Sequence, residues 1–171
     1  MLRAQHRCAE AIPEYELALT VNRNWAYALS HIGRCKTYLG LLEDAIAAQQ
    51  QALRLSPSDP FIDNFYSRIG EAHLLQSHIP EAIIWLEKAR SANPEVPTPR
   101  YLLASAYGLN GDLDRAAAEL AEAHRLSGNS SGDYSNIARV RRSQLVAAPA
   151  IRSLAETTYI VGLRKAGMPE E

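Results

Sequence analysis

Five histidines, His6, His31, His73, His78 and His124, are by type the residues of this chain best suited to hold a metal or move a proton. Their spacing assembles neither chemistry. None falls in H-E-x-x-H, where two imidazoles one helical turn apart share a zinc ion, and none sits at ligand spacing from a pair of carboxylates. All five are expected to be structural or solvent-exposed. Asp112-Leu113-Asp114 resembles the start of a calcium loop, but the glycine and the bidentate glutamate that such a loop needs downstream are absent. The stretch is better explained as a helix N-terminus, where acidic side chains favour the helix dipole. No G-x-x-x-x-G-K-[ST], G-x-G-x-x-G or G-x-S-x-G occurs, so a phosphate cradle and a nucleophile elbow both lack support. No catalytic residue, no metal and no cofactor are therefore expected. A site built across subunits is the one enzymatic alternative, and it would have to use residues such as His73 or Glu71.

The remaining reactive or charged groups are equally plain. Cys8 and Cys35 show neither a C-x-x-C spacing nor a nearby histidine pair, and are expected to be small buried hydrophobes in a reducing cytoplasm. Arg139, Arg141 and Arg142 form a small basic cluster that could meet a phosphate or an acidic neighbour, but a solvated helix face accounts for it. No aromatic residues are interleaved in the way that single-stranded nucleic acid binding uses. With 18 basic and 19 acidic residues the formal net charge is −1, which supplies no field to draw the chain onto nucleic acid or an anionic membrane. No apolar run approaches the roughly 18 residues of a membrane span, and the first residues lack a signal-like stretch. A cytoplasmic protein that binds no nucleic acid and no membrane is expected.

The elements that carry these residues follow from composition and period. At 171 residues, 47% hydrophobic and 22% charged, the chain can bury a core without a metal or disulfide staple. Self-similarity is its main signal. Four segments place side chains at +4 and +7 from a small residue, on one helical face: Ala11, Tyr15, Ala18; Ala45, Gln49, Ala52; Ala82, Leu86, Ala89; and Ala116, Leu120, Ala123. Three of them follow a second apolar helix pattern: Leu29, Ile32, Gly33; Tyr66, Ile69, Gly70; and Leu103, Ala104, Tyr107. Each unit is thus a helix pair. Gly40 and Gly111 fall where a first helix should stop, Pro57 and Pro94 close second helices, and Pro80 suits a first helical turn. Small residues at Gly33, Gly70, Ala104, Ala45, Ala82 and Ala116 would let neighbouring helices approach closely.

These strings resemble tetratricopeptide repeats. The match runs through Leu-Ser-His-Ile-Gly at 29–33, Gln-Ala-Leu-Arg-Leu-Ser-Pro at 51–57, Tyr-Ser-Arg-Ile-Gly at 66–70, Pro-Glu-Ala-Ile-Ile-Trp-Leu-Glu-Lys-Ala at 80–89 and Tyr-Gly-Leu-Asn-Gly-Asp-Leu-Asp-Arg-Ala at 107–116. The resemblance implies an all-α superhelix of antiparallel helix pairs, with residues 1–128 as the array: a half repeat at 1–22 and full repeats at about 25–57, 61–94 and 97–128. The sequence departs from the family pattern with Leu29, Tyr66 and Arg100 where tryptophan is common and Ala104 in place of glycine, and Arg100 is expected near a terminus or exposed.

In this repeat class the exposed side of each first helix lines an inner groove. Helical phase then gives Tyr27, Ser30, Arg34 and Tyr38, then Asn64, Ser67, Glu71 and Leu75, then Tyr101 and Ser105, as the wall expected to hold a peptide or partner protein. Tyrosines would provide area, and Arg34 or Glu71 would set orientation. The Lys and Asn constellation with which co-chaperones of the family hold a C-terminal carboxylate is replaced here by Ser30, Arg34, Ser67 and Glu71, and Glu71 would repel such a ligand.

Both ends break the pattern. The second-helix segment at Cys8–Val21 has no complete first helix before it, so the expectation is either a piece of a longer protein or an N-terminal face covered by a second copy. Ser127–Asp133 reads as a loop, and residues 134–171 as C-terminal helices: a short one over about 134–144 and a longer one from Pro149, with Ile151, Leu154, Ala155, Thr158, Tyr159, Gly162 and Leu163 as its apolar stripe, capping the final repeat. The stretch Ala150-Ile151-Arg152-Ser153-Leu154 with Thr158-Tyr159 resembles the C-terminal end of bacterial class III adenylate or guanylate cyclases that carry such repeats. That resemblance implies a regulatory fragment holding none of the cyclase catalytic residues.

Overall fold

A computed structural model describes residues 7–128, 134–144 and 147–171. His6 and the loop residues 129–133 lie outside the described residues. Ten helices, and no strand, are found among those described. They are α1 (Cys8–Val21), α2 (Ala26–Leu39), α3 (Leu42–Leu55), α4 (Ile62–Leu75), α5 (Ile79–Ala92), α6 (Pro97–Asn110), α7 (Leu113–Ser127), α8 (Ile137–Gln144), α9 (Pro149–Thr157) and α10 (Tyr159–Lys165). The first seven form the array. α1 packs on α2, α2 pairs with α3, α4 with α5 and α6 with α7, and each pair packs on the next through α3 against α4 and α5 against α6. The fold is an α-α superhelix of antiparallel helix pairs.

Helix ends fall where the sequence punctuates them. Gly40 and Gly111 adopt φ of 89° and 84°, the left-handed conformation that turns a first helix into its connector and that side chains disfavour. Asp112 accepts from the Arg115 N–H at the start of α7, so Asp112-Leu113-Asp114 is a helix cap. Pro80, Pro97 and Pro149 stand in first turns, where a missing N–H costs nothing.

The pairs meet at small residues. A Cβ added at Gly70 would lie 2.5 Å from Leu86 Cγ and 3.2 Å from the Ala82 carbonyl oxygen, so the backbones of α4 and α5 are in contact there. Gly33 meets Ala45 and Gln49 in the same way. Gln49 stands where the next repeats have Leu86 and Leu120, and it is fully paired: Ser30 Oγ donates to its Oε1 at 2.7 Å while its Nε2 donates to the Ser30 carbonyl at 2.8 Å. A buried amide is tolerated at this seam because both of its ends are satisfied.

Two expectations are corrected here. Arg100 is not exposed: it shares the buried Glu119 with Arg90, donating to Glu119 Oε2 at 2.9 Å, so an ion-pair triad takes the place of a tryptophan. Cys8 and Cys35 are not separate thiols but a disulfide, with Cα atoms 5.0 Å apart, that pins the start of α1 to α2.

The C-terminal helix expected from Pro149 is two helices, broken at Thr158, whose φ of −120° and ψ of −82° leave the helical region. α10 crosses α6 with Gly162 against the backbone of Ser105 and Gly108, a crossing that any side chain at Gly162 would block. Ser105 Oγ donates to the Tyr159 carbonyl at 2.9 Å. α9 lies against α2 and α4, with Ile151 beside Gly40 and the Ala148 N–H donating to the Tyr38 carbonyl at 2.9 Å. The last residues return to α8, where the carbonyls of Pro169 and Glu170 accept from the Ile137 and Ala138 N–H groups. Arg141 pairs with Glu156 and Glu170, so the expected solvated basic cluster is partly engaged. Tyr159, Ile160, Leu163, Ala166 and Met168 belong to the same core as Leu86, Leu103 and Leu120.

The seam is directly testable. Gly70→Leu should overpack α4 against α5 and cost about 1–3 kcal/mol, read as a Tm lowered by several degrees in a thermal melt with the helical circular dichroism spectrum retained.

Candidate functional site

The first helices present an inner face along the series Tyr27, Ser30, Arg34, Tyr38 on α2 and its equivalents on α4 and α6. Only part of that face reaches solvent. Tyr27, Arg34 and Asn64 are exposed, while Tyr38 and Glu71 are half-buried. Ser30, Ser67, Leu75, Tyr101 and Ser105 are buried, which corrects the expectation that they are exposed on the wall. The causes are visible: Ser30 lies under Gln49 and Arg68, Tyr101 is stacked by Tyr134 with centroids 4.9 Å apart, and Ser105 lies under α10. The C-terminal helices cover the downstream part of the wall.

The open part is a groove of about 730 Å³ between α1 and α2. Cys8, Ala11, Glu14 and Tyr15 line it from α1, and His31, Arg34, Cys35 and Tyr38 from α2. His31 is the centre of an aromatic row, with its ring 5.5 Å from Tyr15 and 4.2 Å from Tyr27. Arg34 donates to the Tyr38 hydroxyl at 3.2 Å and stands over that ring, leaving donors on its guanidinium to spare. Behind it Arg68 is held by the Ser30 carbonyl and hydroxyl. No ion pair to Arg34, Arg68 or Glu71 is found within 4.0 Å among the described residues.

The electrostatics of this corner are coupled. Burial brings the Arg68 guanidinium down to about 10, with Arg34 adding to the effect. Burial likewise raises the Glu71 carboxyl, against the pull of Arg34 and Arg68. His31 is lowered to about 4, first by burial and then by Arg68 and Arg34, so its imidazole is neutral near pH 7. At that pH the groove carries the Arg34 charge beside neutral aromatic rings, which suits an anionic group flanked by apolar surface.

Tyr15, His31, Arg68 and the disulfide were missed as parts of the site by the sequence reading. Repeat register contains the signal for most of them. A shift of 34 puts Cys8, Ala11 and Tyr15 at the positions of Leu42, Ala45 and Gln49, and a shift of 37 puts His31 and Cys35 at those of Arg68 and Ala72. Both cysteines therefore belong to one groove. His73 lies beside His78 near the end of α4, and Glu71 sits on the wall among Arg34 and Arg68, so the two do not form an acid–base pair. No group of three or more His, Cys, Asp or Glu that could hold a metal is found among the described residues.

The geometry defines a helix-pair solenoid with a partly covered inner wall. Residues 26–59 match the family model described as Tetratricopeptide repeat. No curated protein matches the chain in sequence. Among solved structures, the chain is similar to TTC0263, a thermophilic TPR protein in Thermus thermophilus, at 22% identity and a TM-score of 0.67, covering 95% of this chain and 94% of that one. It is similar to MamA from Desulfovibrio magneticus RS-1 at 20% identity and a TM-score of 0.62, over 94% and 85% of the two chains. It is also similar to YrrB, described as a TPR protein with an unusual peptide-binding site, at 16% identity and a TM-score of 0.60, over 98% and 87%. The first repeat thus carries the family's sequence pattern, and the whole described chain its fold.

The coupling can be read on one proton. The His31 Cε1 resonance should titrate with a midpoint near pH 4, and Arg34→Gln should move that midpoint upward by removing one repelling cation. Because the folded value lies below the ordinary 6.5, His31 contributes stability above pH 6.5 that is lost as the pH falls towards 4. A midpoint at 6.5 would remove the burial and the cation pair from the account.

Proposed function

We propose that this chain is a non-catalytic protein-interaction module that binds an acidic peptide segment of a partner in the groove between α1 and α2. The observation that carries the reading is the contrast along the inner wall. Downstream, α9 and α10 lie on it; upstream, Tyr15, His31, Arg34 and Tyr38 line an open cleft. A carboxylate could take paired donors from Arg34 while its neighbours pack on the tyrosines. Glu71, expected to repel an anion, sits behind Arg34 with its carboxyl raised by burial, which weakens that objection. Tyr27 and Asn64 extend the exposed rim. The peptide-binding description of YrrB is consistent with this use of the fold.

The setting is a further part of the proposal. The cyclase-like stretch at Ala150–Tyr159 supports a regulatory module attached to a signalling output domain, and it falls on the helices that cover the wall. No helix among the described residues is long and apolar enough to cross a membrane. The Cys8–Cys35 bond weighs against the cytoplasmic setting expected from unpaired thiols, since disulfides persist in oxidising compartments.

The binding reading is tested with acidic and charge-reversed peptides by isothermal calorimetry. Arg34→Glu should weaken the acidic peptide about tenfold or more, the loss of a charge-assisted hydrogen bond worth roughly 1.5–3 kcal/mol, without changing Tm. Equal affinity in both proteins sinks the reading.

Self-association is a second reading with its own observation. Of eleven large exposed hydrophobics among the described residues, eight lie between Leu17 and Phe61, and Trp25, Tyr27, Leu55 and Phe61 line a common cleft. Light scattering should then give a dimer that Trp25→Glu dissociates; a strict monomer at high concentration rules this reading out.

A further inference from the structure

We infer that the α1–α2 groove is a seat for a helix, shaped by the repeat itself, and that its occupant is an amphipathic helix of a partner protein docked as a first helix docks on its second. The inference rests on the binding reading above and names the form of the ligand.

The molecule contains filled copies of this seat. Shifted by 34 and 37 residues, the lining set Ala11, Tyr15, His31 and Tyr38 becomes Ala45, Gln49, Arg68 and Leu75. Those four stand on α3 and α4, and α2 fills the space between them: Gly33 rests on Ala45 and Gln49, and Ser30 accepts from Arg68. One repeat further on, Gly70 of α4 rests on Ala82 and Leu86 in the same register. In the filled seat Ala45, Gln49 and Leu75 are buried, at 1%, 1% and 5% exposure. In the open one Ala11, Tyr15 and Tyr38 are only half-buried, and nothing described lies over them. Identical architecture with one element missing defines the missing element.

The chemistry of the occupant follows from the contacts in the filled copies. A glycine or alanine must face Ala11, because the helices touch at backbone distance there. Three residues earlier an acceptor must face the basic side, as Ser30 faces Arg68; here His31 and Arg34 are the groups presented, and a carboxylate or hydroxyl suits them. The partner helix therefore reads acceptor-x-x-small, with apolar neighbours on the same face. A second copy of this chain carries that pattern at Ser30-Gly33 and Ser67-Gly70, but both of those helices are built into its own repeats. Supplying one would unfold the donor, which leaves a separate partner as the source.

The test uses the full chain and a fluorescein-labelled peptide copying residues 60–77, which holds the Ser67-x-x-Gly70 pattern. Saturable binding is expected, with shifts in the amide spectrum centred on Ala11, Tyr15, His31 and Tyr38. Gly70→Leu in the peptide, or Ala11→Leu in the chain, should weaken it at least tenfold. The spectral mapping on the unaltered chain keeps the result readable if Ala11→Leu perturbs α1. Absent binding, or equal binding of a scrambled peptide, overturns the helix inference. If an extended acidic peptide still binds through Arg34 in that case, the peptide-binding reading stands without it; if neither peptide binds, both fall. A dimer abolished by Ala11→Leu would give the seat to a second copy and overturn the partner assignment.

Discussion

Helices in this molecule approach one another where one of them carries no side chain or only a methyl group, and everything else is arranged around those contacts. Gly33 on Ala45, Gly70 on Ala82 and the buried Ala104 bring the two helices of each pair to backbone distance. At that distance the larger neighbours have no room to vary: Leu86 closes over Gly70, and Gln49 is forced into a pocket where both ends of its amide must be bonded. Close packing of this kind makes the pairs rigid units that repeat in register.

The C-terminal helices obey the same constraint from the other side. Gly162 in α10 meets Ser105 and Gly108 in α6, a contact that glycine makes possible and that closes the inner wall over the last repeat. Because α10 sits there and α9 reaches α2 and α4, the wall is divided. Its downstream half becomes core, with Tyr101, Ser105 and Tyr159 buried together; its upstream half keeps the solvent. A binding surface in this protein is thus defined as much by what its own tail covers as by the residues of the repeats.

Charge follows burial. Two guanidiniums and a carboxylate crowd the boundary between the covered and open halves, and the shared desolvation lowers Arg68 and His31 and raises Glu71. The balance leaves a cation at Arg34 facing outward beside aromatic rings. The disulfide holds α1, the other wall of the cleft, to α2 at its first residue. That wall has a single helix behind it, where the internal pairs have two.

Period and small-residue spacing were enough to determine the helix pairs, their boundaries at Gly40, Gly111 and Pro80, and the seams at Gly33 and Gly70, because these depend on contacts between residues at fixed separations in one helix or in adjacent ones. The same information named the wall by phase, and Arg34, Tyr38 and Tyr27 remain on its open part. What tertiary structure decided was the fate of the other wall residues. Whether Tyr101 and Ser105 meet a ligand or a helix depends on where residues 149–165 turn, and a break at Thr158 sends α10 across α6. The pairing of Cys8 with Cys35 is of the same kind: it depends on the distance between two helices, which no spacing along the chain expresses directly. Local periodicity is written in neighbouring residues, whereas burial by a distant segment is settled only when the chain has closed on itself.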